Sequence, residues 1–317
     1  MPPVLEPIAD GITLIDLQFQ GRRQVIAAYL LYDGREAALV ETGPASTAET
    51  LLEGLQAAGV PLEALRHLIV THIHLDHAGA SGLLAARLPG VRVYVHPVGA
   101  PHLIDPSRLV ASAARLYGDM LEALWGPVIP VPADRVVVVQ DGERLSVAGR
   151  RLVAFNTPGH ARHHHAFLDE TTGLLFTGDI AGVRLPGIRY VRPPTPPPEL
   201  DLEAWSASIA RLRALRPTAL GLTHFGVFRE DLDAHWAELE ERLWAWGRWI
   251  RALMEENLSE AEITARLRQQ ADQELQAAGA DPLLYDVAAS YENLVAGYLR
   301  YWRKRLGAAT ASASPTR

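Results

Sequence analysis

A layered α/β fold carrying a C-terminal helical annex is predicted by three features of this 317-residue chain. Short apolar runs alternate with stretches of helical spacing through the first two thirds, separated by Gly and Pro turns. His and Asp side chains recur just after several of those runs, where strand ends converge on a cleft in layered α/β folds. Beyond residue 228 only helical periodicity remains. At 48% hydrophobic the chain can bury a full core, and its length suits one large domain plus an annex better than two unrelated domains.

In chain order, Gln24–Leu31, Ala37–Val40, His67–Thr71 and Val91–His96 read as strands. Between them Thr47–Gly59 and Ser81–Leu88 read as helices, with Gly59 and Gly90 standing at C-cap positions. Pro101–Pro130, with Leu103, Leu109, Tyr117, Met120, Leu121 and Trp125, reads as a helical insert that either walls a cleft or packs on the core. A second block of strands follows at Arg135–Gln140, Arg151–Asn156, His165–Asp169 and Leu174–Thr177, with turns at Asp141-Gly142 and Thr172-Gly173. Pro193–Pro198 is a stiff extended segment.

Asp201–Leu215 is an amphipathic helix and Ala219–Thr223 a short strand. The annex then reads as helices over Glu230–Glu256, Ser259–Ala278 and Tyr285–Arg305, the second opened by a Ser259/Glu262 capping box. The expected organisation is a domain over 1–228, a helical extension over 229–306 and a disordered tail over 307–317. Trp236, Trp244, Trp246 and Trp249 sit at mixed spacing, which no single helix stripe can bury. A homodimer contact is therefore expected there.

The formal net charge of −7 argues against a nucleic-acid partner, since phosphate binding needs a local excess of Lys and Arg. The absence of cysteine excludes disulfides and any Cys-ligated metal, leaving His and carboxylate as the available ligands. Met1–Asp10 lacks the pattern of a signal peptide, and no apolar run is long enough to span a bilayer. The expectation is a cytoplasmic protein acting on a small molecule, with no membrane partner.

Four ligand-type residues crowd into Thr71-His72-Ile73-His74-Leu75-Asp76-His77-Ala78-Gly79, between a strand and a helix. A bend there lets His72 and His74 point one way while Asp76 and His77 point to a neighbouring spot, so two adjacent metal positions are half built. Imidazole with carboxylate suits zinc, with iron or manganese as alternatives. Downstream, His160, Asp179 and His224 each follow a strand. Ordinary polar loop residues would not be spaced in this way at one strand end after another.

The set His72-x-His74-x-Asp76-His77, Thr157-Pro158-Gly159-His160, Thr177-Gly178-Asp179 and Thr223-His224 resembles the ordered motifs of the metallo-β-lactamase superfamily over residues 10–228. The resemblance implies a four-layer αββα sandwich with two divalent metal ions at one edge. By it His72, His74 and His160 bind one metal, Asp76, His77 and His224 bind the other, and Asp179 bridges them. It further implies a dinuclear hydrolase whose bridging hydroxide cleaves a small ester, lactone, thioester or phosphoester. Asp76 and Asp179 then count as catalytic as well as ligating, with Asp76 able to shuttle a proton.

Glu41 stands where the family has Asp, and is expected to orient a ligand imidazole of the first pair; a structural turn residue is the alternative. Of His163, His164 and His165, His164 is placed behind the metals and the other two are read as structural. His96 and His102 are read as rim or surface residues. Tyr190 is a candidate for orienting a carbonyl or phosphoryl oxygen, or else an aromatic packed on the prolines. An iron-dependent redox or sulfur-metabolism enzyme and a phosphodiesterase or nuclease remain the alternative functions.

Overall fold

The computed structural model describes the backbone of residues 1–312, with burial assigned through Gly307. Each half of the sandwich is one sheet. The first, in sequential order, comprises β1 (Val4–Ala9), β2 (Ile12–Asp16), β3 (Ala27–Tyr32), β4 (Ala37–Val40), β5 (Leu65–Ile69), β6 (Arg92–Val95) and β7 (Val136–Val138). The second comprises β8 (Arg144–Val147), β9 (Arg150–Asn156), β10 (His165–Asp169), β11 (Leu174–Gly178), β12 (Ala219–Leu222) and β13 (Gly226–Phe228), in order from one edge to the other.

Pairing is antiparallel from β1 to β4 and parallel from β4 to β7. Parallel neighbours need long crossovers, and helices supply them. These are α1 (Ala48–Ala57), α2 (Leu75–Ala78), α3 (Ser81–Arg87), α4 (Ala100–Ile104), α5 (Ser107–Tyr117) and α6 (Leu121–Trp125). In the second sheet only β11 and β12 run parallel, joined through α7 (Leu202–Ala214).

Period-two alternation divides the first sheet between two cores. Tyr29, Leu31, Ala38 and Val40 face the second sheet, while Ala28, Leu30, Ala37 and Leu39 face α1 to α6. Backbone bonds join the two sheets at one end, His165 N–H donating to Thr71 O at 2.7 Å and Ala27 N–H to Thr223 O at 2.8 Å. That end carries the site.

After β13 come α8 (Leu232–Glu255), α9 (Glu260–Ala277), α10 (Pro282–Ala288) and α11 (Tyr291–Ser312). Their apolar residues, including Leu239, Ile250, Leu267 and Tyr298, belong to the same core as the second sheet. Helix packing within the chain covers part of the tryptophan set and leaves Trp244 and Trp249 half-buried. Packed between α7 and α11, α8 buries Trp236 and Trp246, and Trp244 Nε1 donates to Ser206 Oγ at 2.9 Å. The tail expected to be disordered begins inside a helix, because α11 continues to Ser312; residues 313–317 lie outside the described residues. No helix of the described residues is long and apolar enough to cross a membrane.

Candidate metal centre and cavity

Each ligand residue expected from sequence stands at a strand end. His72 to His77 follow β5, His160 follows β9, Asp179 follows β11 and His224 follows β12. Ligand atoms of His72, His74, His160 and Asp179 all lie within 4.8 Å of one another, and those of Asp76, His77 and His224 form a second such group.

Hydrogen bonds behind the rings fix which nitrogen faces inward. A carbonyl oxygen can only accept, so His160 Nδ1 donates to Pro194 O at 2.8 Å and His224 Nδ1 donates to Val25 O at 2.7 Å. His77 Nδ1 donates to Glu41 Oε1 at 2.9 Å. Thr71 Oγ1 gives its proton to Glu41 Oε1 at 2.5 Å and therefore accepts from His72 Nδ1 at 3.1 Å. In all four rings Nε2 is therefore the nitrogen directed inward, the one a cation would take.

His72 Nε2 and His160 Nε2 each stand 2.9 Å from His74 Nδ1. Asp179 Oδ2 lies 3.3 Å from His160 Nε2, while its Oδ1 lies 3.2 Å from His77 Nε2 and 3.5 Å from His224 Nε2. The two oxygens of one carboxylate thus face the two groups. His77 Nε2, His224 Nε2 and Asp179 Oδ1 are buried without a hydrogen-bond partner, an arrangement that a cation would satisfy.

The electrostatics divide the donor set: burial opposes charge on His77 and His224, but Asp179 and Asp76 outweigh it and raise both above the usual histidine range, so a cation arriving there displaces a proton. Burial first, then neighbouring imidazoles, hold His72 and His74 well below the usual histidine range, so both are neutral ligands at pH 7. Burial opposes the charge on Asp179, yet His77, His160 and His224 outweigh it and hold the carboxyl well below its usual range. Asp76 and His224 complete the second group at 3.4 Å. The Asp76 side chain is 20% exposed against 4% for Asp179, so Asp76 is the carboxylate that faces solvent and cavity.

Glu41 behaves differently from expectation. Its carboxylate touches His77 directly and reaches the first pair only through Thr71, which bonds it by both Oγ1 and N–H; Thr223 Oγ1 also donates to it at 3.2 Å. The two threonines that precede ligand histidines, Thr71 and Thr223, therefore converge on one acid. Their repeated Thr-His pairing was the available sequence signal for that role. His164 holds the Asp179 loop, its Nδ1 donating to Thr157 Oγ1 at 2.8 Å and its Nε2 accepting from Asp179 N–H at 3.2 Å.

Trp205 is a positioning residue that sequence reading missed. Its Nε1 donates to Ile180 O at 2.9 Å, and its ring meets His160 edge-on at 5.6 Å. Gly159, at φ +141°, lies so close that a Cβ there would sit 2.4 Å from Trp205 Cα.

The centre opens into a cavity of about 610 Å³ whose lining includes His74, Asp76 and Asp179. The insert forms one wall through Leu109, Ala113, Leu116, Tyr117, Leu124 and Trp125, so the cleft-wall alternative holds. Pro194–Pro198 and the α10–α11 corner form another. Tyr190 is corrected by the structure: it is 2% exposed and absent from that lining, sandwiched by Arg242 at 3.9 Å from its ring and by Tyr285. Tyr117 does line the cavity, its hydroxyl oxygen accepting from Asn293 Nδ2 at 3.3 Å. His163, read from sequence as structural, also faces the cavity, as does His102, read as a rim or surface residue, whereas His96 is bonded to Asn156.

Residues 21–224 match the metallo-β-lactamase superfamily as a family. The chain belongs to that superfamily. It is 31% identical over 169 residues to a metallo-β-lactamase fold-containing protein of Sulfurisphaera tokodaii, covering 52% of this chain and 62% of that protein. It is 25% identical over 207 residues to an atrochrysone carboxyl ACP thioesterase of Aspergillus fumigatus, covering 65% of this chain and 38% of that one. The chain thus spans less than two thirds of the length of these two relatives. Among solved structures, a metallo-β-lactamase family protein of Thermus thermophilus superposes with a TM-score of 0.72 at 24% identity, covering 94% of this chain and 95% of the other.

Proposed function

We propose that this protein is a dinuclear zinc hydrolase of small acyl substrates, an ester, thioester or lactone with an apolar acyl or aryl part. One observation carries the reading: the two oxygens of Asp179 face two separate groups of inward imidazole nitrogens on the floor of an apolar-walled cavity. Two divalent cations held there supply acidification of water and polarisation of the scissile carbonyl.

The chain's own part is positional. Glu41, Thr71, Pro194 O and Val25 O keep four imidazoles in the ligating tautomer, so no ring has to turn when a cation arrives. The insert and the proline segment exclude water from the acyl chain. Hydrolysis adds water to the acyl carbon and breaks its bond to oxygen or sulfur, and the departing atom takes a proton. Asp76, the more exposed carboxylate, is the group placed to hand it over. Burial raises the Tyr117 phenol well above its ordinary range, so it stays protonated and free to donate to the substrate oxygen while Asn293 holds it.

Apolar walls favour acyl over phosphoryl substrates. Asp179→Ala tests the reading. Zinc-loaded variant should lose turnover of phenyl ester and thioester probes by at least about a hundredfold while its circular dichroism matches wild type. Unchanged turnover would defeat the mechanism.

A further inference from the structure

The charges lining the cavity do not balance. Among its acidic residues, Asp76 and Asp179 are committed to the metal groups, Glu199 receives Arg162 at 2.6 Å, and Asp286 receives Arg268 at 2.8 Å. Among its cations, Arg162 is thereby neutralised. Arg108 and Arg115 are not.

Both stand on α5 and line the cavity, and neither has a carboxylate partner among the described residues. Asp105 feels Arg108 only at long range, its carboxyl being engaged by the Ser107 N–H at 3.1 Å. Seven residues apart, the two arginines lie two helical turns from each other on one face, about 10 Å along the axis. Ser112, four residues after the first and three before the second, lies between them and also lines the cavity. Leu109, Ala113 and Leu116 flank this stripe with apolar surface on the same wall. Both residues are exposed, so they stand at the rim and not in the depth.

A substrate of purely apolar character would leave two unpaired cations beside it, and one without an apolar body would leave the wall unused. We infer that the natural substrate is an amphipathic acyl compound whose apolar body carries a terminal anion, a carboxylate or a phosphate, gripped by Arg108 and Arg115 with Ser112 adding a hydroxyl donor. Guanidinium is the side chain suited to that task, because its fork matches both anions by paired, charge-assisted hydrogen bonds. This rests on the hydrolase reading and narrows its substrate class.

The test compares zinc-loaded wild type with the R108A/R115A double variant on phenyl thioesters. These end, on the acyl chain or on the thiol, in a carboxylate, a phosphate or an uncharged amide of similar size. Wild type should prefer an anionic member over its amide by at least about tenfold in kcat/KM, mainly through KM, and the ratio should fall to within about twofold of unity in the variant. The carboxylate and phosphate arms identify which anion is meant. Hydrolysis of the amide member with no anionic preference, or a preference that survives in the variant, overturns this inference and leaves the hydrolase reading intact. Absence of turnover on every member sinks the hydrolase reading instead. Calorimetric titration with hexyl phosphate against hexanamide then reads the grip without turnover, at least about tenfold tighter for the anion in wild type only. Equal affinities would overturn the assignment.

Discussion

Replacing Glu41 by Gln keeps its volume and removes its charge, which makes the shared role of this buried acid measurable. Its Oε1 receives three donors, Thr71 Oγ1, His77 Nδ1 and Thr223 Oγ1, and its Oε2 receives the Thr71 N–H. The least damaging placement of the amide keeps oxygen at the first position and sets its NH2 against the Thr71 N–H. Three bonds then weaken from charge-assisted to neutral, by about 1 kcal/mol each, and one buried donor is orphaned at a further 1–3 kcal/mol or so. The metal-free variant should therefore unfold about 4–6 kcal/mol more readily in urea.

Losing an acid that orients ligand histidines costs about 10–100-fold in metal affinity. Because Glu41 supports His77 directly and His72 through Thr71, competition with a chromophoric chelator should show both zinc-binding steps weakened. Thr71→Val cuts only the link to His72 and should weaken one step. Two zinc affinities within about twofold of wild type in E41Q, or identical profiles for the two variants, would refute the shared-acid account.

Gly159→Ala forces a Cβ to within 2.4 Å of Trp205 Cα at a φ of +141°, so the loop carrying His160 must shift; zinc affinity should fall and the melting temperature drop by several degrees, both measurable on purified protein. Burial holds His165 near 3 and His235 near 4, below the unfolded value of 6.5. With folded values depressed, the unfolded chain takes up protons first, so metal-free stability should decline as pH falls below about 6.5, by roughly 1.4 kcal/mol per pH unit for each group. Urea unfolding between those limits checks it, and a flat profile would contradict it. Tyr117→Phe should lower kcat about tenfold with little change in KM if its hydroxyl serves the reacting oxygen; a change confined to KM would assign it to the wall alone.

The alternation of strands and helices was legible because most strands bury one or both faces, and the ligands were legible because their residue types recur at strand ends. Strands β1, β2, β8 and β13 were not. In β1, Pro7 and the exposed Glu6 break the alternation of an edge strand, and β8 offers only four residues of pattern. The roles of Glu41 and Trp205 depend on partners far away in sequence, 36 residues in the case of His77, and no local period reports such a meeting. Tyr190 was misread for the same reason: its loop was rightly associated with the pocket, but α8 and α10 cover the side chain. The mixed tryptophan spacing implied more than one buried stripe, which a helix packed between two others provides.

Crystals of the zinc-loaded protein, measured at the zinc absorption edge, test the central claim most directly. Two anomalous peaks roughly 3.5–4 Å apart should straddle the Asp179 carboxylate, one within the His72, His74, His160 group and the other within the Asp76, His77, His224 group. A single peak, or zinc bound elsewhere with both groups empty, would contradict the account.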